Sequence, residues 1–265
     1  MKNKPYEQLY YEKDEIWHLD FEASKDELSR AKNLLNLIPK FTKTILDIGS
    51  GNGFIVKKIE ELKKYKITAV DRSKAAIKNK ICKTPIKQMS IEQLPTAKKY
   101  DLVMATEVLE HLPILTFSEA IKKMCAISSR YILISVPLEE KRFFQICPSC
   151  NVTFNPDYHL RTFKRNNMKD LFPNFSLIKS SIIYKKKIFF RYLLNFTLKN
   201  YLFNKKVIKI NSLCPMCGFT NSKSKSNNTS SEVMSKYMRF IPKTKQPEWI
   251  ICLYQKNVRG NQKAN

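Results

Sequence analysis

Thr44-Ile45-Leu46-Asp47-Ile48-Gly49-Ser50-Gly51-Asn52-Gly53 is the stretch that decides the fold. Its first five residues are β-branched or apolar around one acid and read as a buried strand, which ends where glycine falls at every second position. Ile55, Ile59 and Leu62 then recur at helical spacing among Lys and Glu, so the stretch reads as strand, tight turn and amphipathic helix. The chain has 5 glycines in 265 residues, and three of them stand in this turn. A sequence so sparing with glycine keeps it where a side chain does not fit. A turn without Cβ atoms, leading into a helix with free N–H groups, lets a ligand approach the backbone closely. The spacing differs from the dinucleotide fingerprint, whose third glycine stands three residues after the second, where this chain has Phe54.

Outward from the turn, strands are predicted at 67–70, ending in Asp71, at 100–106 and at 131–136, closed by Pro137. Short helices are predicted after Asp71 and over 117–128, where Ala120, Ile121, Met124 and Ile127 share a face. This alternation predicts an α/β, doubly wound, mostly parallel sheet covered on both faces. Residues 138–157 interrupt the pattern, which resumes with a helix near 165–172 and a strand over 175–184. A second interruption, 185–246, holds the polar run 221–231, read as a mobile loop, and 249–254 is the last strand. The first 35 residues read as helical and are rich in aromatics, with Tyr6, Tyr10, Tyr11 and Trp17. The expected organisation is an N-terminal helical lid over 1–35, a domain over 36–258 with inserts at 138–160 and 185–246, and a disordered tail over 259–265.

The net charge of +25 invites a nucleic acid or an anionic surface as partner. Of the 48 basic residues, however, 39 are Lys and 9 are Arg, a profile that A/T-rich codon usage also produces. No apolar run approaches the roughly 18 to 20 residues that cross a bilayer, and the first 20 residues have no signal-peptide core, so a cytoplasmic protein is expected. Residues 188–203 are mostly apolar, and Arg191, Asn195 and Lys199 form one polar stripe at helical spacing. Such a helix can pack in a cap, bind an apolar tail, or lie peripherally on a membrane surface.

The 7 cysteines include two like pairs, Cys147-Pro148-Ser149-Cys150-Asn151 and Cys214-Pro215-Met216-Cys217-Gly218. In each, proline stiffens the turn and the residue after the second cysteine tolerates a left-handed backbone. Two such knuckles can present four thiolates to a structural zinc ion. The separation from Cys150 to Cys214 exceeds the roughly 15 to 20 residues of a compact zinc ribbon. Loops after the fifth and sixth strands of this kind of sheet leave by the same edge, which would bring the pairs together. Cys82, Cys125 and Cys252 are expected to be core residues in helix or strand.

The stretches 44–53, 67–73, 89–95 and 100–112 stand in order and together resemble class I S-adenosylmethionine-dependent methyltransferases, near the branch of the ubiquinone-biosynthesis O-methyltransferases. The resemblance runs from about Lys40 through Ile134-Ser135-Val136-Pro137. It implies a seven-stranded Rossmann-like sheet and a cofactor cradle of Asp47, Gly49, Ser50, Gly51 and Gly53. Asp71, next to Arg72, would accept from the ribose hydroxyls. Ser90, Ile91 and Glu92 would lie beside the adenine, although the family commonly has Asp at the place of Ser90. Thr106, Glu107 and Val108 would flank the methionine part of the cofactor. The same resemblance puts His111 at the methyl-transfer site, as general base or as stacking and hydrogen-bonding partner, and His159, in His159-Leu160-Arg161-Thr162-Phe163, on the acceptor side. Tyr10, Tyr11 and Trp17 are similar to an aromatic N-terminal helix that closes over the cofactor.

The expected activity is methyl transfer to a small-molecule or lipid-linked acceptor, at oxygen by resemblance. A rival reading, an RNA methyltransferase with a zinc-knuckle cap, rests on charge and cysteines. Against it, Thr106-Glu107-Val108-Leu109 lacks the Asn-Pro-Pro-aromatic clamp of enzymes that methylate base amino groups. A non-catalytic binding protein on the same fold is the third reading, and the intact glycines and Asp71 argue against it. Acceptor identity and oligomeric state stay open.

Overall fold

The computed structural model describes residues 10–17, 24–188, 213–219 and 243–257. Three sequence expectations, the helix over 188–203, the loop over 221–231 and the tail over 259–265, lie outside the described residues, save for Ile188. Among the described residues the main sheet has seven strands: β1 (Thr44–Ile48), β2 (Lys66–Asp71), β3 (Ile86–Gln88), β4 (Tyr100–Thr106), β5 (Ser128–Pro137), β8 (Phe175–Ile188) and β9 (Lys243–Lys256). The insert after β5 holds the short antiparallel pair β6 (Gln145–Ile146) and β7 (Thr153–Phe154). The order in the main sheet is β3-β2-β1-β4-β5-β9-β8, with β9 antiparallel to both neighbours and the others parallel. This is a mostly parallel, Rossmann-like methyltransferase sheet.

The strand period of two divides the core. Leu46, Ile48, Val103, Ala105, Ile132, Ile134 and Cys252 pack on one face; Ile45, Leu102, Met104, Leu133, Ile251 and Leu253 pack on the other. Helices cover both, as parallel strands require. On the second face lie α2 (Lys25–Leu37), through Ala31 and Leu34, and α3 (Phe54–Glu60), through Phe54, Ile55 and Ile59. On the first lies α5 (Ile114–Ile127), through the four residues its helical spacing picks out, Ala120, Ile121, Met124 and Ile127. Ser24 caps α2 by accepting from the Glu27 N–H at 3.3 Å. Two further helices are short: α1 (Asp14–Trp17) and α4 (Lys74–Lys78).

Three local expectations change. The helix expected near 165–172 is a single 3-10 turn, Arg165–Met168, because two adjacent asparagines are weak helix formers and Pro173 restricts Phe172. The last two strands are longer than their apolar stretches, because the β8–β9 ladder runs on through Lys185↔Gln246 to Ile188↔Lys243, and backbone pairing needs no apolar side chain. Cys82 is buried as expected but sits in a bend, where it packs against Gly53.

Candidate functional site

The strand order reverses between β1 and β4, and in an open parallel sheet the crevice beyond such a reversal receives ligands. The glycine turn forms one wall. Gly49 and Ser50 donate their N–H groups to the Val70 carbonyl at 2.9 and 3.0 Å, tying the turn to β2. Gly49, Gly51 and Gly53 all have positive φ, at 71°, 57° and 82°. A Cβ on Gly49 would stand 2.4 Å from Val108 and one on Gly51 2.8 Å from the Trp17 ring. Both backbone and space therefore demand glycine. Gly51→Val should cost about 1 to 3 kcal/mol for a strained left-handed residue alone, seen as a melting temperature lower by several degrees.

Two acids face this turn. The Asp71 carboxylate accepts from Gly51 N–H at 2.7 Å and Ser73 N–H at 2.8 Å, which bridges the glycine turn to the start of α4. Asp47 is fully buried, and neither carboxylate oxygen has a hydrogen-bond partner among the described residues. Burial pushes its carboxyl up to about 7, assisted by the nearby Asp71 charge.

The described part of the N-terminal segment straps this edge. Ser73 Oγ donates to the Tyr11 carbonyl at 2.6 Å, and the Glu12 carboxylate accepts from the N–H groups of Lys74 and Ala75. Trp17 Nε1 donates to the Tyr11 carbonyl at 2.7 Å, which holds the indole ring against Gly51. Arg72 stacks on Tyr11 at 5.5 Å from the ring centroid. At the adenine-expected segment, Ser90 N–H donates to Gln93 Oε1 at 3.0 Å, Ile91 is buried, and Glu92 accepts from Thr116 Oγ1 at 3.0 Å.

The segment leaving β4 at Thr106 forms the opposite wall. Glu107, with φ 56°, turns its carboxylate to Ser135 Oγ at 3.0 Å and Trp249 Nε1 at 2.8 Å. The 3-10 turn Leu109–His111 then presents Glu110 and His111. Glu110 is buried and both its oxygens lack hydrogen-bond partners among the described residues. Burial, with Glu107 nearby, holds its carboxyl well above the usual range. Leu160 N–H donates to the Glu110 carbonyl at 2.8 Å, which docks the His159 segment on this turn. The His111 and His159 rings meet edge-on, centroids 4.8 Å apart. His111 Nδ1 pairs with Tyr11 Oη at 2.9 Å, and His159 Nδ1 pairs with Glu140 Oε2 at 2.5 Å. Burial, and then the neighbouring His159, pulls the His111 imidazole down to about 3, so it stays neutral near pH 7 and is a weak proton acceptor there.

The two cysteine pairs meet. The four Sγ atoms lie within 4.8 Å of one another, with Cys147–Cys217 and Cys150–Cys214 each at 3.6 Å. All four are free thiols, and that spacing is close to the edge of a tetrahedron with metal–sulfur bonds of about 2.3 Å. The knuckles share a backbone plan: Asn151 N–H donates to the Cys147 carbonyl at 2.9 Å and Gly218 N–H to the Cys214 carbonyl at 3.0 Å. Asn151 and Gly218, at φ 57° and 71°, adopt the left-handed backbone that their residue types favour. The cluster can hold a metal ion. It also joins the histidine wall, because the Tyr158 hydroxyl donates to the Leu213 carbonyl, one residue before Cys214, and the Tyr158 carbonyl lies 3.4 Å from His111 Nδ1.

The sequence profile of a family described as a methyltransferase domain matches residues 17–177, more than half of the chain. The chain belongs to this family. Among solved structures, this methyltransferase domain resembles the N-methyltransferase NodS of Bradyrhizobium japonicum, in complex with S-adenosyl-L-homocysteine, at 14% identity over 96% of this chain and 99% of that one, with a TM-score of 0.52. It resembles DhpI, in a complex with SAH, at 10% identity over 96% and 97% of the two chains, with a TM-score of 0.54. A SAM-dependent methyltransferase of Archaeoglobus fulgidus is 20% identical over 89% and 96%, with a TM-score of 0.50. At these identities the likeness is one of fold. No curated protein matches the sequence.

Cys214 and Cys217 lie beyond the stretch matched by the methyltransferase family, so the cysteine cluster ties the matched region to a later segment of the chain. Glu110, Glu140 and Tyr158 escaped the sequence reading. Glu110 had a signal, an acid directly before a histidine at the exit of the fourth strand. Glu140 and Tyr158 had none, since each acts through a contact with a residue distant in sequence.

Proposed function

We propose that this methyltransferase domain binds S-adenosylmethionine in the crevice beyond β1, β2 and β4 and directs its methyl group to an oxygen of a small-molecule or lipid-linked acceptor, as the ubiquinone-biosynthesis O-methyltransferases it resembles do. The observation that carries this reading is the buried Asp47 carboxylate, without a hydrogen-bond partner among the described residues, beside three glycines. An unpaired buried charge is costly, and the ammonium of the cofactor is a suitable partner. The residues present therefore fit the group. Asp71 has a free share of acceptor capacity for ribose hydroxyls beyond its two backbone donors. NodS and DhpI, which share the fold, are complexes with S-adenosyl-L-homocysteine and SAH.

When bound, the cofactor supplies an electrophilic methyl group on a sulfonium. The chain's own part is to align the acceptor and exclude water, so positioning dominates over proton transfer. The Tyr10–Trp17 strap shields the crevice, and the weakly basic His111 serves to orient rather than to take a proton. A zinc ion in the four-cysteine cluster would have all its positions filled and act structurally, holding the insert that carries His159. Among the described residues no helix is long and apolar enough to cross a membrane.

The test is mass spectrometry of cell extract incubated with the protein and isotopically labelled S-adenosylmethionine, with calorimetry of S-adenosylhomocysteine binding alongside. A labelled O-methyl product of low mass or lipid character is expected. Label in unmodified RNA at physiological salt, with sequence or structural preference, would replace this reading by the RNA one. Asp71→Ala should weaken S-adenosylhomocysteine about tenfold to a hundredfold, the loss of charged hydrogen bonds of about 1.5 to 3 kcal/mol, and unchanged affinity would remove Asp71 from the site.

A further inference from the structure

We infer that Tyr158 is a positioning residue through which the four-cysteine cluster sets His111 and the Tyr10–Trp17 strap, so that metal occupancy of the cluster and closure of the cofactor crevice are thermodynamically linked. Tyr158 has φ 57° and is 4% exposed. A bulky residue rarely adopts a left-handed backbone, and one that does is held there by its surroundings. Asn155 supplies the hold. Its carbonyl accepts from Tyr158 N–H at 3.1 Å, and its Oδ1 accepts from the N–H groups of Asp157 and His159 at 3.0 and 3.1 Å, so one buried asparagine clasps the turn on both sides of Tyr158.

Held so, Tyr158 reaches three separate segments. Its hydroxyl donates to the Leu213 carbonyl, next to Cys214, and its ring lies 6.5 Å from that of Phe154, which packs with Cys147 and Cys214. The same ring stands 4.8 Å from that of Tyr10 in the strap. Its carbonyl lies 3.4 Å from His111 Nδ1. A carbonyl only accepts, so it favours the neutral imidazole that carries its proton on Nδ1 and leaves Nε2 without one. Tyr11 Oη, 2.9 Å from the same nitrogen, ties that choice to the strap, and the Tyr11 carbonyl holds Trp17 against Gly51. The strap therefore meets the acceptor wall at Tyr10 and Tyr11, and Tyr158 stands behind both contacts. An ion that fixes the knuckles fixes Leu213 and, through the hydroxyl, Tyr158; loss of the ion frees that tether. A ligand covered by the strap gains from the fixed state, and linkage requires it to tighten the ion by the same factor. The coupling runs through one neutral hydrogen bond, so its size is about twofold to tenfold. The cofactor half of this inference rests on the proposed function; the His111 half does not.

The test uses the full chain, labelled with heavy nitrogen at its histidines, with zinc retained and after its removal by a chelator. The signals of His18, His111 and His159 are assigned by replacing each in turn with Gln, and proton–nitrogen correlation spectroscopy reads the tautomer. With zinc, His111 should show the Nδ1-protonated tautomer alone; after chelation it should show a mixture. Tyr158→Phe should show the mixture with or without the ion, at unchanged zinc content and circular dichroism. Calorimetry should find S-adenosylhomocysteine bound about twofold to tenfold more weakly after chelation of the unmodified chain, with no further loss on chelation of Tyr158→Phe. Tyr158→Phe deletes one hydroxyl and keeps the ring, so it should fold; if it does not, the chelated unmodified chain carries the test. A His111 tautomer indifferent to zinc removal, a single Nδ1-protonated tautomer in Tyr158→Phe, or a chain that binds no zinc overturns the inference. A tautomer that responds as expected without any S-adenosylhomocysteine binding upholds the role of Tyr158 and sinks the cofactor reading; binding indifferent to zinc, with a fixed tautomer, does the reverse.

Discussion

Asp47→Asn should make the ligand-free protein more stable at pH 8 while removing most of its affinity for S-adenosylhomocysteine. Asp47 is fully buried without a hydrogen-bond partner among the described residues, and burial pushes its carboxyl from 3.8 to about 7. The folded chain therefore keeps a proton that the unfolded chain has already released between about pH 4 and pH 7. Stability is highest below the unfolded value and falls as pH rises through that window, because the unfolded state there binds fewer protons. Above pH 7 the full penalty is present, about 4 kcal/mol for a shift of about three units. An amide carries no charge at any pH, so the variant should lose this pH dependence. Since the amide is itself buried without assured partners, a net gain of about 1 to 2 kcal/mol is expected, or roughly 2 to 8 °C in melting temperature at pH 8.

Binding should move the other way. If the cofactor ammonium pairs with this carboxylate, loss of the charge removes about 1.5 to 3 kcal/mol, a weakening of about tenfold to a hundredfold. In the unmodified chain a proton and the ammonium compete for Asp47, so affinity should fall by up to about tenfold per pH unit below 7, and protons should be released on binding. Calorimetry in two buffers of different ionisation enthalpy measures both. An Asp47→Asn chain that binds as well as the unmodified one, with the same pH profile, would show that Asp47 faces no cofactor.

The purified protein should contain zinc at one ion per chain, and Cys147→Ser should lose it. Cys147 and Cys214 are buried, and with Phe154 they form the small core of the insert, so metal and packing hold the same structure. Binding at structural zinc sites is worth about 10 to 16 kcal/mol in isolated peptides, and much of that is folding energy. Without the ion, four thiols within 4.8 Å have no ligand to draw them together, and the segment Leu213 to Phe219 should separate from the β6–β7 pair. The seven-stranded sheet has its own two-faced core and should survive. Elemental analysis gives the metal content. Hydrogen exchange should show rapid exchange at the N–H groups of Cys147, Asn151, Cys214 and Gly218, which are hydrogen-bonded within the knuckles, while β1 and β4 stay protected. Through the Tyr158 hydroxyl on Leu213, the loss should also loosen His111 and His159. A metal-free protein with protected knuckle amides would end the assignment.

The parallel core, the glycine turn and the knuckles were legible because each is written in contiguous residues. Ile45 and Leu46 go to opposite faces by the period of a strand, Ala120, Ile121, Met124 and Ile127 share one face by the period of a helix, and Gly49, Gly51 and Gly53 occupy positive φ that other residues resist. Asn151 and Gly218 announce the knuckle turns in the same local way. Tertiary structure alone decided the rest, since no local rule governs contacts between distant segments. The meeting of Cys147 with Cys217, 70 residues apart, depends on two loops leaving one sheet edge. The Glu107 carboxylate belongs to Trp249 and Ser135 because β5 and β9 lie beside β4's exit, which its own neighbourhood in sequence does not reveal. Glu110 is a surface-type residue by composition, yet where Leu160 docks on its carbonyl it is buried with no hydrogen-bond partner among the described residues, and that burial holds its carboxyl well above the usual range.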